Sequence, residues 1–215
     1  SASAFLGSLA AITVISIFSG RTGASKTTVI LGGVALNSML NAFAESITVL
    51  NPNVATLTTE FRVGGFSSVS MGRLLPAIML IGAALLVLFT LFNELDILAL
   101  GDETAQSVGL RAPKYRILFL ILAALLAGSA VSFAGLLGFV GLIVPHFTRK
   151  FTGNESRRLL PLCAVVGAGF VTASDLAARL IFLPYELPVG ILMAAIGGPA
   201  FVGLLLRMKG GRRND

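Results

Sequence analysis

Charge is what this chain is shortest of. Aspartate, glutamate, lysine and arginine make up only 12% of its 215 residues, against about 25% in ordinary globular domains. So few charges cannot clothe a water-facing surface, which excludes a soluble globular protein. Hydrophobic residues reach 55% and the mean hydropathy is +0.91, as expected of a chain whose solvent is largely a bilayer. Cysteine occurs once, at Cys163, which excludes an internal disulfide; in its apolar run it reads as a small buried hydrophobe. Histidine also occurs once, at His146. A single His and a single Cys in separate contexts make neither a nucleophile–base pair nor a metal-ligand set. No catalytic residue, no metal and no cofactor are therefore expected. The chain opens on an apolar run, without Met and without a basic leader, so a signal peptide is not expected. A span starting at residue 1 is the expectation for a piece of something longer.

What is present is arranged in apolar runs with basic connections. The runs cover residues 1–18, 28–50, 74–92, 115–133, a shorter glycine-rich stretch at 135–150, then 159–182 and 189–206. The expected fold is therefore all-α, a polytopic transmembrane bundle of about seven spans. The net charge of +6 and pI near 10.3 would suggest nucleic acid in a soluble protein. Here 13 of the 16 Lys and Arg residues fall in the connections 21–26, 94–116, 149–158 and 207–215. That distribution is a membrane-orientation signal, not a nucleic-acid one, and it places those connections and the C-terminus in the cytoplasm.

Several polar groups interrupt the runs. Asn37, Asn41 and Glu45 recur every four residues and share one helical face. Such a face lines either a watery path or hydrogen-bonded neighbouring helices. Asp175 and Arg179 stand at i and i+4, where they can pair and reduce the cost of charge near a membrane. Gly135, Gly138 and Gly141 are expected to let a short helix press against its neighbours. Gly197-Gly198-Pro199 is expected to interrupt the last span. The segment GRTGASKT at residues 20–27 is a near miss to a phosphate loop. It has Ser25 where a glycine is required and follows a membrane run, not a buried strand, so it carries no nucleotide-binding expectation.

The longest polar interruption is LDILALGDETAQSVGLRAPKYR at 95–116. Asp96 can cap a short apolar turn that Gly101 ends, and Asp102 can cap a second short helix, Glu103 to Val108. Gly109 suits the stop, and Pro113 bars any helix from running back out of the next span. Two short helices broken by glycine make a knob, whose Thr104, Ala105 and Ser107 would allow a partner to approach closely. An ordinary structured loop fits the same local pattern.

The segments LALGDETAQSVGL, GLLGFVGLIVPH and ELPVGILMAAIGGPAF, in this order and spacing, resemble the FecCD family of ABC-importer permeases. These are membrane subunits for ferric siderophores, haem and vitamin B12. The resemblance implies one permease domain over 1–215, the later part of a ten-helix type II importer subunit. It implies coupling helices at about 95–110 that seat in a cytoplasmic ATPase, with Gly101, Asp102, Glu103, Thr104, Ala105, Gln106, Ser107, Val108 and Gly109 as the contact. It further implies that Arg179 docks an extracytoplasmic substrate-binding protein. Thr22, Ser25 and Thr27 resemble an inner gate, with Asn37 and Asn41 on the pathway. The implied partners are the ATPase subunits, a second permease copy or paralogue, and the bilayer of a bacterial or archaeal cell membrane. The permease itself would hydrolyse nothing. The rival class is a proton-coupled secondary carrier, for which Glu45 is the main candidate carboxylate.

Overall fold

A computed structural model describes residues 7, 10, 26–67 and 69–210. Among them every regular element is helical: α1 Lys26–Leu50, α2 Pro52–Val63, α3 Met71–Thr90, α4 Phe92–Ala99, α5 Asp102–Ser107, α6 Ala112–Ala134, α7 Val140–Thr152, α8 Ser156–Ile181 and α9 Val189–Gly210.

The seven apolar runs are not seven equal spans. By length and composition α6 and α8 are each able to cross a membrane, and a third span is formed if α3 and α4 count as one element bent by 68°. The bend falls at Leu91, which ends α3 and precedes α4. The stretch between the apolar runs 28–50 and 74–92 contains a full helix, α2, begun by Pro52, as proline favours a first helical turn. The glycine-rich run yields only the 13 residues of α7, about 20 Å at 1.5 Å per residue. That falls short of a hydrocarbon core of about 30 Å. Residues 1–18 lie outside the described residues except for 7 and 10.

Packing is between small side chains. The most extensive helix pair is α3 with α6. The buried positions of these two helices include Ala77 and Ala84 in α3 and Leu122, Ala124, Gly128 and Ser129 in α6. Small residues let helix backbones approach where lipid removes the hydrophobic drive to associate. The large apolar side chains point outward instead, among them Leu31, Phe43, Met79, Leu86 and Val165. Hydroxyls inside the helices bond back to their own turns: Thr148 Oγ1 donates to the Val144 carbonyl at 2.7 Å and Thr172 Oγ1 to that of Ala168 at 2.9 Å. In hydrocarbon such a local partner removes the cost of an unpaired group.

At the end of the bundle away from the basic connections, three chain segments cross through glycine. Gly65 N–H donates to the Ala134 carbonyl at 2.8 Å, Leu136 N–H to that of Phe61 at 3.0 Å, and Gly190 N–H to that of Gly64 at 3.3 Å. Gly64 and Gly135 each end a helix at φ +70°. A β-carbon on Gly135 would stand 2.7 Å from the Phe61 carbonyl oxygen, one on Gly64 would overlap the Leu136 carbonyl, and one on Gly190 that of Val63. The irregular backbone that follows α6 is thus met in part by other segments of the chain, through Leu136 N–H to the Phe61 carbonyl, as non-helical chain at membrane depth requires.

Two glycine expectations change. Gly138 and Gly141 meet no neighbour, and Gly135 and Gly138 precede α7, so the three do not form one packing stripe. Gly197-Gly198-Pro199 does not interrupt α9, which runs through all three. Gly197 instead leaves room for Phe139, whose Cβ and Cγ would lie 2.5 Å from an added β-carbon. Phe139 holds a left-handed φ of 64° at the start of α7. Its ring also faces Phe201 at 6.5 Å between centroids.

Candidate functional site: a tethered knob at the basic end

The polar stretch after α3 folds as two short helices, α4 and α5, but the capping is not the expected one. Asp96 lies inside α4 and does not cap its own turn. Its carboxylate accepts from the Ser156 N–H at 3.1 and 3.3 Å, sixty residues away, at the first residue of α8. The residue that locally precedes α8, Glu155, makes no side-chain cap bond and its carboxylate instead faces Arg158 at 3.4 Å. The orphan donor of a 26-residue helix is therefore met by a side chain from the knob. A carboxylate there also suits the positive end of the helix dipole.

Asp102 does not cap α5 either. Gly101 holds the cap position at φ 110°, and Asp102 is the first helical residue. Arg116, in the first turns of α6, donates from Nη2 to Asp102 Oδ1 at 2.6 Å. Gly109 does stop the helix, at φ +82°, a conformation that costs glycine nothing. The knob is thus tied by one carboxylate to α8 and by another to α6, the two helices long and apolar enough to cross a membrane.

The faces of α5 are unequal. Ala105 is fully buried (0% exposed), and its carbonyl accepts from the Leu110 N–H at 2.9 Å. Its small side chain serves close packing inside this chain. Glu103, Thr104, Gln106, Ser107 and Val108 face outward. With them stands Leu100, 72% exposed, and Val108, 63% exposed. Sequence reasoning missed Leu100; an apolar residue beside a glycine in a polar stretch was the available sign. Between the knob, α6 and α8 lies a cleft of about 740 Å³, with Asp96, Arg116, Arg149 and Ser156 among its lining residues.

The other expected site residues lie apart. Asn37 and Asn41 are exposed on α1, and neither side chain bonds a described residue. Glu45, on the same face, meets Arg62 of α2 at 3.4 Å, a pair not anticipated. Arg179 Nε donates to Asp175 Oδ2 at 2.9 Å, as the spacing predicted, near the far end of α8. Thr22 and Ser25 lie outside the described residues, as does the side chain of Thr27, which falls in the first turn of α1. His146 is exposed on α7. No group of three or more His, Cys, Asp or Glu that could hold a metal occurs among the described residues.

Comparison with known proteins identifies the family of the chain. The profile of the FecCD transport family matches residues 1–207. The chain belongs to that family. The ABC transporter permease YvrB of Bacillus subtilis, itself uncharacterized, is 39% identical over 212 residues, 95% of this chain and 59% of YvrB. The Fe(3+) dicitrate permease FecD of Escherichia coli is 34% identical over 206 residues, 96% of this chain and 64% of FecD. The hemin permease HmuU of Yersinia pestis is 33% identical over 207 residues, 96% of this chain and 62% of HmuU. The FecCD chain described here thus spans about three fifths of these relatives. A solved chain assigned to a metal-chelate type ABC transporter in an inward-facing conformation superposes with a TM-score of 0.82 at 25% identity. It matches 95% of this chain and 72% of the solved one.

Proposed function

We propose that this chain is part of the permease subunit of an ABC importer for a ferric chelate, haem or a cobalamin-type ligand, and that its knob couples it to a cytoplasmic ATPase. The single observation that carries the coupling is the outward face of the knob. Leu100 and Val108 are exposed in a polar stretch, on short helices anchored to two apolar helices. Exposed apolar side chains on a rigid base are what a docking surface needs. The basic connections put the knob and the C-terminus in the cytoplasm of a bacterial or archaeal cell. In this reading a second permease completes the pathway, and closure of two ATPases on ATP moves the knobs and tilts the pathway helices. The permease performs no chemistry. On the opposite side Arg179 keeps donors beyond the one used by Asp175, enough to meet a carboxylate of a substrate-binding protein. Asn37 and Asn41 line the path, and residues 22–27 form its inner gate.

The rival proton-coupled carrier is less well supported, because its main candidate carboxylate, Glu45, is already paired with Arg62 at 3.4 Å. The test uses the full-length permease expressed with its neighbouring ATPase and reconstituted in vesicles with the binding protein. Ferric citrate, a ferric hydroxamate, haemin and cobalamin are offered in turn. One of them is expected to enter only with ATP, and Val108→Glu should weaken ATPase co-purification at least tenfold in a folded permease. Uptake driven by a proton gradient without ATP would overturn the importer reading. Unchanged co-purification would remove the knob from the contact.

A further inference from the structure

We propose that Asp96 is the positioning residue through which movement of the knob reaches α8, and with it the distant Arg179. The inference rests on the ATPase-coupled reading above and concerns how the displacement travels. Asp96 sits on α4, one turn before Leu100 and Gly101, so it moves with the knob. Its carboxylate holds the first N–H of α8, and Ser156 is buried there. From Ser156 the helix continues unbroken, through Pro161, to Ile181, about 39 Å at 1.5 Å per residue. Arg179 and Asp175 occupy its far end. The Glu155 side chain supplies no local cap beside the contact. A hydrogen-bonded helix is stiff along its axis, so a pull at its first N–H is delivered at its last turn. The second tether, Arg116 to Asp102, is largely exposed on both sides and reaches α6 through one flexible arginine. The Asp96 contact ends directly on backbone, which leaves no side-chain slack in α8.

The experiment uses the assembled importer with spin labels at Tyr185, just beyond α8, and Met71, at the start of α3, both exposed. The inter-label distance is measured with and without ATP and vanadate, beside ATP hydrolysis. The native complex should shift by ~2 Å or more, the scale of helix displacements in switching proteins. Asp96→Ala, in complexes that still assemble with the ATPase, should lose at least three quarters of the shift. Asp96→Asn should retain most of it, because the amide oxygen still accepts from the same N–H. Should Asp96→Ala fail to assemble, Ser156→Pro decides. Proline fits a first helical position and the extended residue before it, yet removes the donor. Loss of the shift in Ser156→Pro supports the proposal, and a double variant should then be no worse than either single one. A native-sized shift in Asp96→Ala or Ser156→Pro overturns it, as does no shift in the native complex. Absence of any ATPase from the purified native complex overturns the importer reading itself, which is a separate result.

Discussion

The two ends of this bundle are joined by different kinds of bond. Away from the basic connections, backbone meets backbone: 61–65, 134–136 and 190 are in contact through glycines that leave no room for a β-carbon. At the basic end, side chains meet backbone or one another, through Asp96 to Ser156 and Arg116 to Asp102. The first kind of junction resists displacement of those three segments against one another, through clash or loss of hydrogen bonds, and the last turn of α8 is not one of them. The second can lengthen or re-form, since a carboxylate has several lone pairs and an arginine many rotamers. A lever needs one fixed end and one that can be driven, and the chemistry of the two ends divides in that way.

The largest expected effect is at the fixed end. Gly190→Ala would drive a methyl into the Val63 carbonyl, and both partners are backbone that cannot rotate aside. We expect a loss of about 3 kcal/mol or more, at the upper range for single substitutions. It would be read as a lower melting temperature of the detergent-solubilised full-length permease. Melting within a degree or two of the native protein would show that the glycine crossing is not tight.

Next comes the Phe139 notch, where a side chain meets a glycine. Gly197→Ala should cost about 1–3 kcal/mol, as overpacking does. Phe139→Ala should cancel much of that cost, because the two substitutions share one contact. Additive losses in the double variant would mean that the added methyl strikes something else.

The driven end should be softer. Asp96→Ala should cost only about 1 kcal/mol of stability, the usual worth of a helix cap. Asp102→Ala should cost less still, because an exposed ion pair contributes about 0–1 kcal/mol. Were either as damaging to melting as Gly190→Ala, the contrast between the ends would collapse.

The smallest structural effect is expected at Arg179, with a functional effect out of proportion to it. If Arg179 docks a binding protein, neutralising both Asp175 and Arg179 should leave melting nearly unchanged while weakening binding-protein affinity in a salt-dependent way. Exposed charges are screened within about 8 Å at physiological ionic strength. Full recovery of affinity in the double-neutral variant would reduce the pair to a structural one.

The sequence alone determined what depends on composition and short-range spacing. Scarce charge and long apolar runs required a membrane solvent. The i, i+4 spacing brought Asp175 to Arg179, and three ordered motifs reached the family. Gly101 and Gly109 marked the limits of α5, because left-handed backbone favours one residue type. Only the tertiary structure decided what depends on meetings between distant segments. Asp96 had the look of a local cap, yet the donor it serves lies sixty residues on, because the first N–H of any helix has no partner within that helix. Ala105 had the look of a contact for a partner, yet it is buried, because a six-residue helix must turn one face toward its own chain. The glycines at 64, 135 and 190 lie in three separate stretches, and no local pattern says that they touch. Spacing along a helix is set by the bonds within it, whereas a crossing is set by which segments the rest of the fold brings together.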